Sequence, residues 1–497
     1  MMETIQDTSP IFDAQPLIAF IAYLFMIILI GVYASRFSSE GISNFFIGGR
    51  KMGMLVVALS SVVSGRSAWL LLGVTGMAYV MGLSALWAVL GYTLTELFLF
   101  LYYAPRIRRF SEKYDCITVP DFFSERFGDQ TGTLRMVVVF IIILFMIAYV
   151  SAQFVAGGKA FHASFHISET QGLLLTTIII LFYTMLGGFL AVSLTDTIQG
   201  IIMIIALVIL PVIAIMHLGG VKVFYQLASA IDDGQFFNPL ALGTGALIGF
   251  LGIGLGSPGN PHIISRYLSI KDPVKLKAVA VVGTVANVVM AVGALTTGMA
   301  GRLYYDTIAM LPGEDPEGIY PLMASTHLHP IMFGVIIASI FAAIMSTADS
   351  QLLVAASALV RDIYEKLICK NKRVSQKKLV LYSRVTVVIL VVLALLLALL
   401  AESLIFWLVL FAWAGLGAAF GPTSILALFW KRTTRAGVIA GMITGASCVI
   451  IWNRIPALVN IVYELVPAFI LGFIVTVVVS LYSRRPSEED TIWRAMK

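Results

Sequence analysis

Charge is what this sequence has least of. Only 12% of its 497 residues are Asp, Glu, Lys or Arg, against roughly 25% in soluble domains, while 59% are hydrophobic. The deficit runs along the whole length, which excludes a soluble globular chain and leaves an all-α polytopic membrane protein, with membrane lipid as its surroundings. Cysteine is almost as scarce. Cys116, Cys369 and Cys448 stand far apart, outside any C-x-x-C or His-rich spacing, so neither a disulfide framework nor a zinc site is expected. No G-x-x-x-x-G-K-[ST] occurs, and no nucleotide partner is expected. No histidine is paired at catalytic spacing and no nucleophile and base come together, which argues against an enzyme. The net charge of +6 does not imply a nucleic-acid partner, because the basic residues fall in short loops between apolar runs, where membrane topology accounts for them.

A membrane-length window gives thirteen spans between Pro16 and Tyr482, with a short loop expected between the fifth, ending at Val192, and the sixth, beginning at Thr197. The first fifteen residues hold no Lys or Arg, so the first apolar run reads as a retained span rather than a cleaved signal. With the amino terminus outside and the carboxyl terminus inside, the outer loops hold only Lys222, Arg302 and Arg454 of the 33 Lys and Arg, with Lys159 at an outer helix end and Arg66 within a span. That asymmetry is what the positive-inside rule demands. Two spans look interrupted. The second, Met54 to Val80, has a polar centre at Ser60, Ser61, Ser64, Gly65, Arg66 and Ser67, and the seventh, Leu240 to Pro261, carries G-I-G-L-G-S-P-G-N-P-H from Gly252. They lie five spans apart and cross in opposite senses, the sign of a 5+5 inverted repeat with a binding site between the breaks. The chain then divides into an extra helix and inner loop (1–53), two five-helix repeats (54–218 and 219–430), and two final helices with a short tail (431–497).

An arginine at mid-membrane depth needs a partner, a water-filled cavity or a task. Glu96, near the middle of the third span, is the obvious partner if Arg66 serves packing alone. In the ninth span Ala343, Ser346, Thr347 and Ser350 share one helical face at i, i+3, i+4 and i+7. Their oxygens suit a hard cation such as sodium. They equally suit bonds to their own helix or to a neighbouring one. Asp196, at the start of the sixth span, reads as a dipole partner or as part of a cation path. Asp349 and Glu464 are the other acids within spans, and His262 is expected to bond locally. T-V-P-D-F-F-S-E-R-F-G from Thr118 predicts a short helix at the inner surface with Thr118 as its cap. The acidic loop Arg302 to Pro330 predicts a solvated cap or gate.

Seven segments in order resemble the sodium:solute symporter family, and closely its sodium/proline branch: I-G-G-R from Ile47, A-L-S-S-V-V-S-G-R-S-A-W-L-L-L-G from Ala58, T-V-P-D-F-F-S-E-R-F from Thr118, G-G-F-L-A-V-S-L-T-D-T-I-Q from Gly187, G-N-P-H-I-I-S-R from Gly259, M-S-T-A-D-S-Q-L-L-V from Met345 and F-A-W-A-G-L-G-A-A-F-G-P from Phe411. The resemblance implies a LeuT-type fold, a multi-pass place in the cell membrane, and secondary-active symport of a small organic solute with Na+, L-proline or a related amino acid or carboxylate first. It implies a sodium site from the carbonyls of Val63, Arg66 and Ala343 and the hydroxyls of Ser346 and Thr347. It places Ser67, Trp69, Ser257, Gly259 and Pro261 near the solute, and makes Arg50, Arg66, Asp196 and Asp349 gating or coupling groups.

The sequence departs from that pattern where the branch has Asp and Met, at Gly65 and Arg66, and where it has Trp and Tyr, at Ile253 and Ser257. Two like charges about 5 Å apart at an effective dielectric of ~20 repel by roughly 3 kcal/mol, about two powers of ten in binding. The Arg66 guanidinium would therefore stand in for sodium, pair with a solute carboxylate, or turn toward Glu96 or the cytoplasm. Sodium-coupled symport, sodium-independent or proton-coupled transport on the same fold, and a non-transporting solute sensor are the readings left open. Nothing in the sequence speaks to oligomeric state.

Overall fold

The computed structural model describes residues 14–38, 41–370, 374–400 and 404–484. Among them the chain is helical, apart from loops and one isolated bridge between Met52 and Ile270. The helices that frame the site and the membrane-facing surface are α1 (Ala14–Ser38), α2 (Met54–Ala68), α3 (Thr75–Met81), α4 (Leu86–Phe98), α5 (Val119–Phe127), α6 (Thr133–Phe165), α7 (Glu169–His217), α8 (Thr244–Gly252), α9 (Pro261–Ser269), α10 (Leu276–Tyr304), α11 (Pro330–Ser357), α12 (Gln376–Ala398), α13 (Ile405–Phe429), α14 (Arg435–Asn453) and α15 (Leu465–Tyr482). Ten helical stretches among the described residues are long and apolar enough to cross a membrane, and residues 169–185 and 244–259 form two shorter apolar ones. Large apolar side chains such as Ile18, Phe140, Val281 and Ile389 face outward on α1, α6, α10 and α12, as lipid-facing surfaces require.

Both expected interruptions are present. At Ser67 the backbone takes φ 50 and ψ −170, and the chain resumes through a wide turn at Trp69–Val74 before α3. Between α8 and α9 a tight turn over Ile253–Gly259 contains Pro258, Asn260 is extended, and Pro261 opens α9 at a position where a missing N–H costs nothing. The end of α2 packs on α11, whose stretch from Ala343 to Gln351 is entirely buried, while the turn over Ile253–Gly259 packs on α4 and α13.

The expected loop between Val192 and Thr197 is helix instead. At 49 residues, α7 would be about 74 Å long if straight, more than twice a bilayer core of roughly 30 Å. It reverses at Gly188, which sits at φ 59 and ψ −172. The fold-back brings the hydroxyls of Tyr183 and Thr195 into contact, although a straight helix would hold their Cα atoms about 18 Å apart.

The segment after Thr118 is helical with the expected cap, Thr118 Oγ1 accepting from the Asp121 N–H at 3.0 Å. It is packed into the protein rather than laid on its surface: Phe122 and Phe123 are fully buried, and Arg135 bonds both Asp121 and Asp362. The acidic loop is not simply solvated either. Glu317 is buried, pairs with Lys159 at 2.8 Å and accepts the Ile405 and Phe406 N–H groups at the start of α13. Burial pushes its carboxyl up from the usual range, against the pull of Lys159.

Candidate functional site

Where α2 stops, peptide groups lose their helical partners and side chains take them up. Ser67 Oγ accepts from the Trp69 N–H at 3.1 Å, and Gln153 Oε1 on α6 accepts from the Ala68 N–H at 3.3 Å. From the other side, Tyr92 on α4 donates to the Gly65 carbonyl at 3.2 Å, and Thr347 on α11 donates to the Ser64 carbonyl at 3.0 Å. Ser346 donates to the Ala343 carbonyl at 3.2 Å. A hydroxyl that donates its proton keeps its lone pairs. Thr347 and Ser346 therefore still present oxygen to a cation, next to the negative end of the α2 dipole. Ser64 Oγ, in the same turn, is buried without a hydrogen-bond partner among the described residues. A neutral oxygen set with an orphaned hydroxyl beside it fits a hard monovalent cation.

Beside this cluster lies a narrow cavity lined by Gly65, Trp69, Tyr92, Tyr149, Ile253, Val409, Leu410 and Trp413. Its walls are aromatic: Tyr92 stacks on Trp413 at 5.3 Å and faces Trp69 at 6.5 Å. The indole N–H of Trp69 has no partner among the described residues, which leaves one buried donor for an occupant.

Arg66 turns away from this cavity. Its Nε–H donates to Asn287 Oδ1 on α10 at 2.7 Å, its Nη2 lies 3.5 Å from Glu96 Oε2, and its guanidinium carbon sits 3.4 Å over the Tyr92 ring. Asn287 in turn donates to Glu96 Oε2. Of the orientations open to this guanidinium, the pair with Glu96 is the one observed.

On the far side of the cation cluster, toward the end of the molecule that carries Arg50 and Arg108, is a second buried polar group. Asp196 on α7 accepts from Ser60 at 2.6 Å and from Arg266 Nη2 on α9 at 3.0 Å. Arg266 also donates to Ser60 at 3.1 Å, to the His262 carbonyl at 2.7 Å and to Ser350 on α11. Ser350 donates to Asp349 at 3.1 Å. Four helices, α2, α7, α9 and α11, meet in this one cluster.

A model of the sodium:solute symporter family matches residues 45–445. The chain belongs to the sodium:solute symporter family. It is similar over 94% of its length, at 39% identity, to the osmoregulated proline transporter OpuE of Bacillus subtilis, 94% of which is covered. It is similar over 95% of its length, at 38% identity, to a sodium/proline symporter of Staphylococcus aureus, 93% of which is covered. Among solved structures, a Na+-coupled sialic acid symporter in a substrate-bound outward-open state superimposes with a TM-score of 0.81 at 20% identity, over 95% of this chain and 99% of that one. Mhp1, a nucleobase-cation-symport-1 family transporter in a closed conformation, gives 0.56 at 12% identity, over 92% and 100%. The LeuT-type fold is thus the symporter's fold.

Of the residues expected from sequence, Thr347 meets the end of α2 at the Ser64 carbonyl, between Val63 and Arg66 in the chain; Ser346 bonds the Ala343 carbonyl within α11, and Ser67 and Trp69 bond each other at the break. Ser257, Gly259 and Pro261 are not brought to the aromatic cavity, where Ile253 represents their segment instead. Ser257 is buried, with its hydroxyl unpartnered among the described residues. Gly259 lies against the α13 backbone, where a Cβ would meet the Leu416 carbonyl. Pro261 lines a separate cavity with Arg266 and Ser350. Arg50 donates to the Ser111 and Cys116 carbonyls at 2.8 and 2.9 Å, and so braces the segment before α5. Sequence reasoning missed Tyr92, Tyr149, Gln153, Trp413 and Arg266. Gln153, a lone amide in an apolar span, reads like the others as packing until the helices are laid together.

Gly65 is needed for steric reasons: a Cβ there would run into the Tyr92 hydroxyl, with Cζ at 3.5 Å behind it. Gly65→Ala is expected to cut transport several-fold, roughly the effect of 1–3 kcal/mol of overpacking. Adding Tyr92→Phe, which removes the colliding oxygen, should restore part of the loss in an uptake assay.

Proposed function

We propose that this symporter imports L-proline or a closely related small amino acid together with Na+. The observation that carries the reading is the meeting of the Thr347 hydroxyl with the Ser64 carbonyl at the interrupted end of α2, whose Gly65 also lines a small aromatic cavity. The curated relatives named for proline support the choice of solute. The engagement of Arg66 by Glu96, Asn287 and Tyr92 supports sodium over a tethered substitute, because the guanidinium is held among α4 and α10 rather than among the oxygens.

In this reading the chain spans the membrane thirteen times, with the amino terminus outside and the Arg50 end in the cytoplasm. Val63, Arg66 and Ala343 would contribute carbonyls to sodium, Ser346 and Thr347 their hydroxyls. Sodium adds the charge that fixes the broken end of α2 in one geometry. The backbone turn at Ser67 and Trp69 is then held as the solute meets it, so cation and solute favour the same state. Release follows when the cluster of Asp196, Arg266, Ser350 and Asp349 opens toward the cytoplasm.

Proteoliposomes with imposed sodium, lithium or proton gradients test this. Labelled proline should accumulate with the sodium gradient. Thr347→Val, which keeps the shape and loses the oxygen, should raise the half-saturating sodium concentration by about tenfold, the worth of one good ligand at roughly 1.4 kcal/mol. Accumulation that follows the proton gradient and ignores sodium would overturn the reading.

A further inference from the structure

The Arg66 and Glu96 pair is buried but incompletely hydrogen-bonded. Both side chains are 1% exposed, yet their closest approach is 3.5 Å, longer than a charge-assisted hydrogen bond of about 2.7–2.9 Å. Asn287 bridges them, taking the Nε–H and donating to Oε2. Neither Nη of Arg66 nor Oε1 of Glu96 has a hydrogen-bond partner among the described residues. A pair kept for its hydrogen bonds would be satisfied. This one is held close enough to cancel charge and is otherwise left unsaturated.

The charge it cancels matters because of where Arg66 is. Its own carbonyl belongs to the broken end of α2, one residue before Ser67, and its neighbour Gly65 gives its carbonyl to Tyr92. A guanidinium at a helix C-terminus neutralises the partial negative charge there. That is the field a bound cation would use. Left alone, Arg66 would compete for it from inside the protein. Glu96, on α4, removes the competition without supplying a ligand.

We propose that Glu96 is the counter-charge that sets the affinity of the cation site, acting through Arg66 and not by touching the ion. It is a positioning residue in the electrostatic sense, and the inference rests on the sodium reading above.

The test is a charge cycle in full-length protein in proteoliposomes, reading the half-saturating sodium concentration separately from proline affinity at saturating sodium. Glu96→Gln leaves one uncompensated buried cation and should raise half-saturating sodium roughly ten- to a hundredfold. Proline affinity at saturating sodium should shift by less than about threefold. Arg66→Met with Glu96→Gln is neutral again, and should return to within about threefold of wild type. Glu96→Asp keeps the charge and should stay near wild type. If Glu96→Gln cannot be recovered folded, Arg66→Met alone takes its place: it leaves the acid unopposed and should lower half-saturating sodium by a similar factor. An unchanged sodium dependence in Glu96→Gln, or a double variant as impaired as the single one, overturns the proposal and makes the pair a packing feature. Wild-type uptake indifferent to sodium would strike the sodium reading instead, and the two failures are read from different samples.

Discussion

Arg266→Met is expected to lower sodium-driven uptake by two to three orders of magnitude, the largest single loss in the molecule. Arg266 is 1% exposed and serves Asp196, Ser60, Ser350 and the His262 carbonyl at once. Taking it away leaves the Asp196 carboxylate fully buried with only Ser60 for company. Breaking a buried pair from one side costs about 3–5 kcal/mol. The cost falls on the joint between α9 and the helices α2, α7 and α11, where the chain must close after loading. Uptake and thermal unfolding measured together distinguish the effects. The neutral pair Arg266→Met with Asp196→Asn should recover most of the unfolding temperature, because no bare charge is left. Its uptake should stay below a tenth of wild type, because the joint has lost its electrostatic hold.

The second large effect is conformational. Gly188 takes φ 59 and ψ −172 at the reversal of α7, a region open essentially to glycine alone. Gly188→Val puts a β-branched side chain there and should leave too little folded protein to purify, whereas Gly188→Ala should fold with a lowered unfolding temperature. Yield in detergent and a thermal melt decide it. Equal yields of the valine and alanine variants would show that the reversal does not depend on that backbone angle. Ser67 holds almost the same conformation with a Cβ, at a cost of about 1–3 kcal/mol. That strain is placed where the cation and solute are proposed to bind.

The broken helices were legible because glycine, proline and clustered serine are poor helix formers at any depth. Thr118 announced its helix by the same local chemistry, and Glu96 was visible as a partner because no other acid lay at the depth of Arg66. The pairing of Asp196 with Arg266 was not legible. It joins residues 70 apart, one at a helix start and one that reads as an ordinary loop-end cation. Asn287 is a lone amide in an apolar run and announces nothing until α10 is laid against α4. The reversal at Gly188 was hidden because Ser193–Asp196, which looked like a loop, is polar on a helix face that buries it. The tight turn over Ile253–Gly259 rotates Ser257 and Gly259 off the cavity, and residue spacing carries no measure of that rotation. Aromatic residues are the hardest case, since Tyr92 and Trp413 read from sequence as core.

Tyr92 is a single ring with two audiences. It stacks with Trp413 in the wall of the aromatic cavity, it carries the guanidinium, and its hydroxyl donates to the Gly65 carbonyl at the end of α2. Whatever presses on the chamber wall is felt at the charge without an intermediary. Reciprocity then requires that the ion tighten the hold on solute by the same factor as solute tightens the hold on the ion.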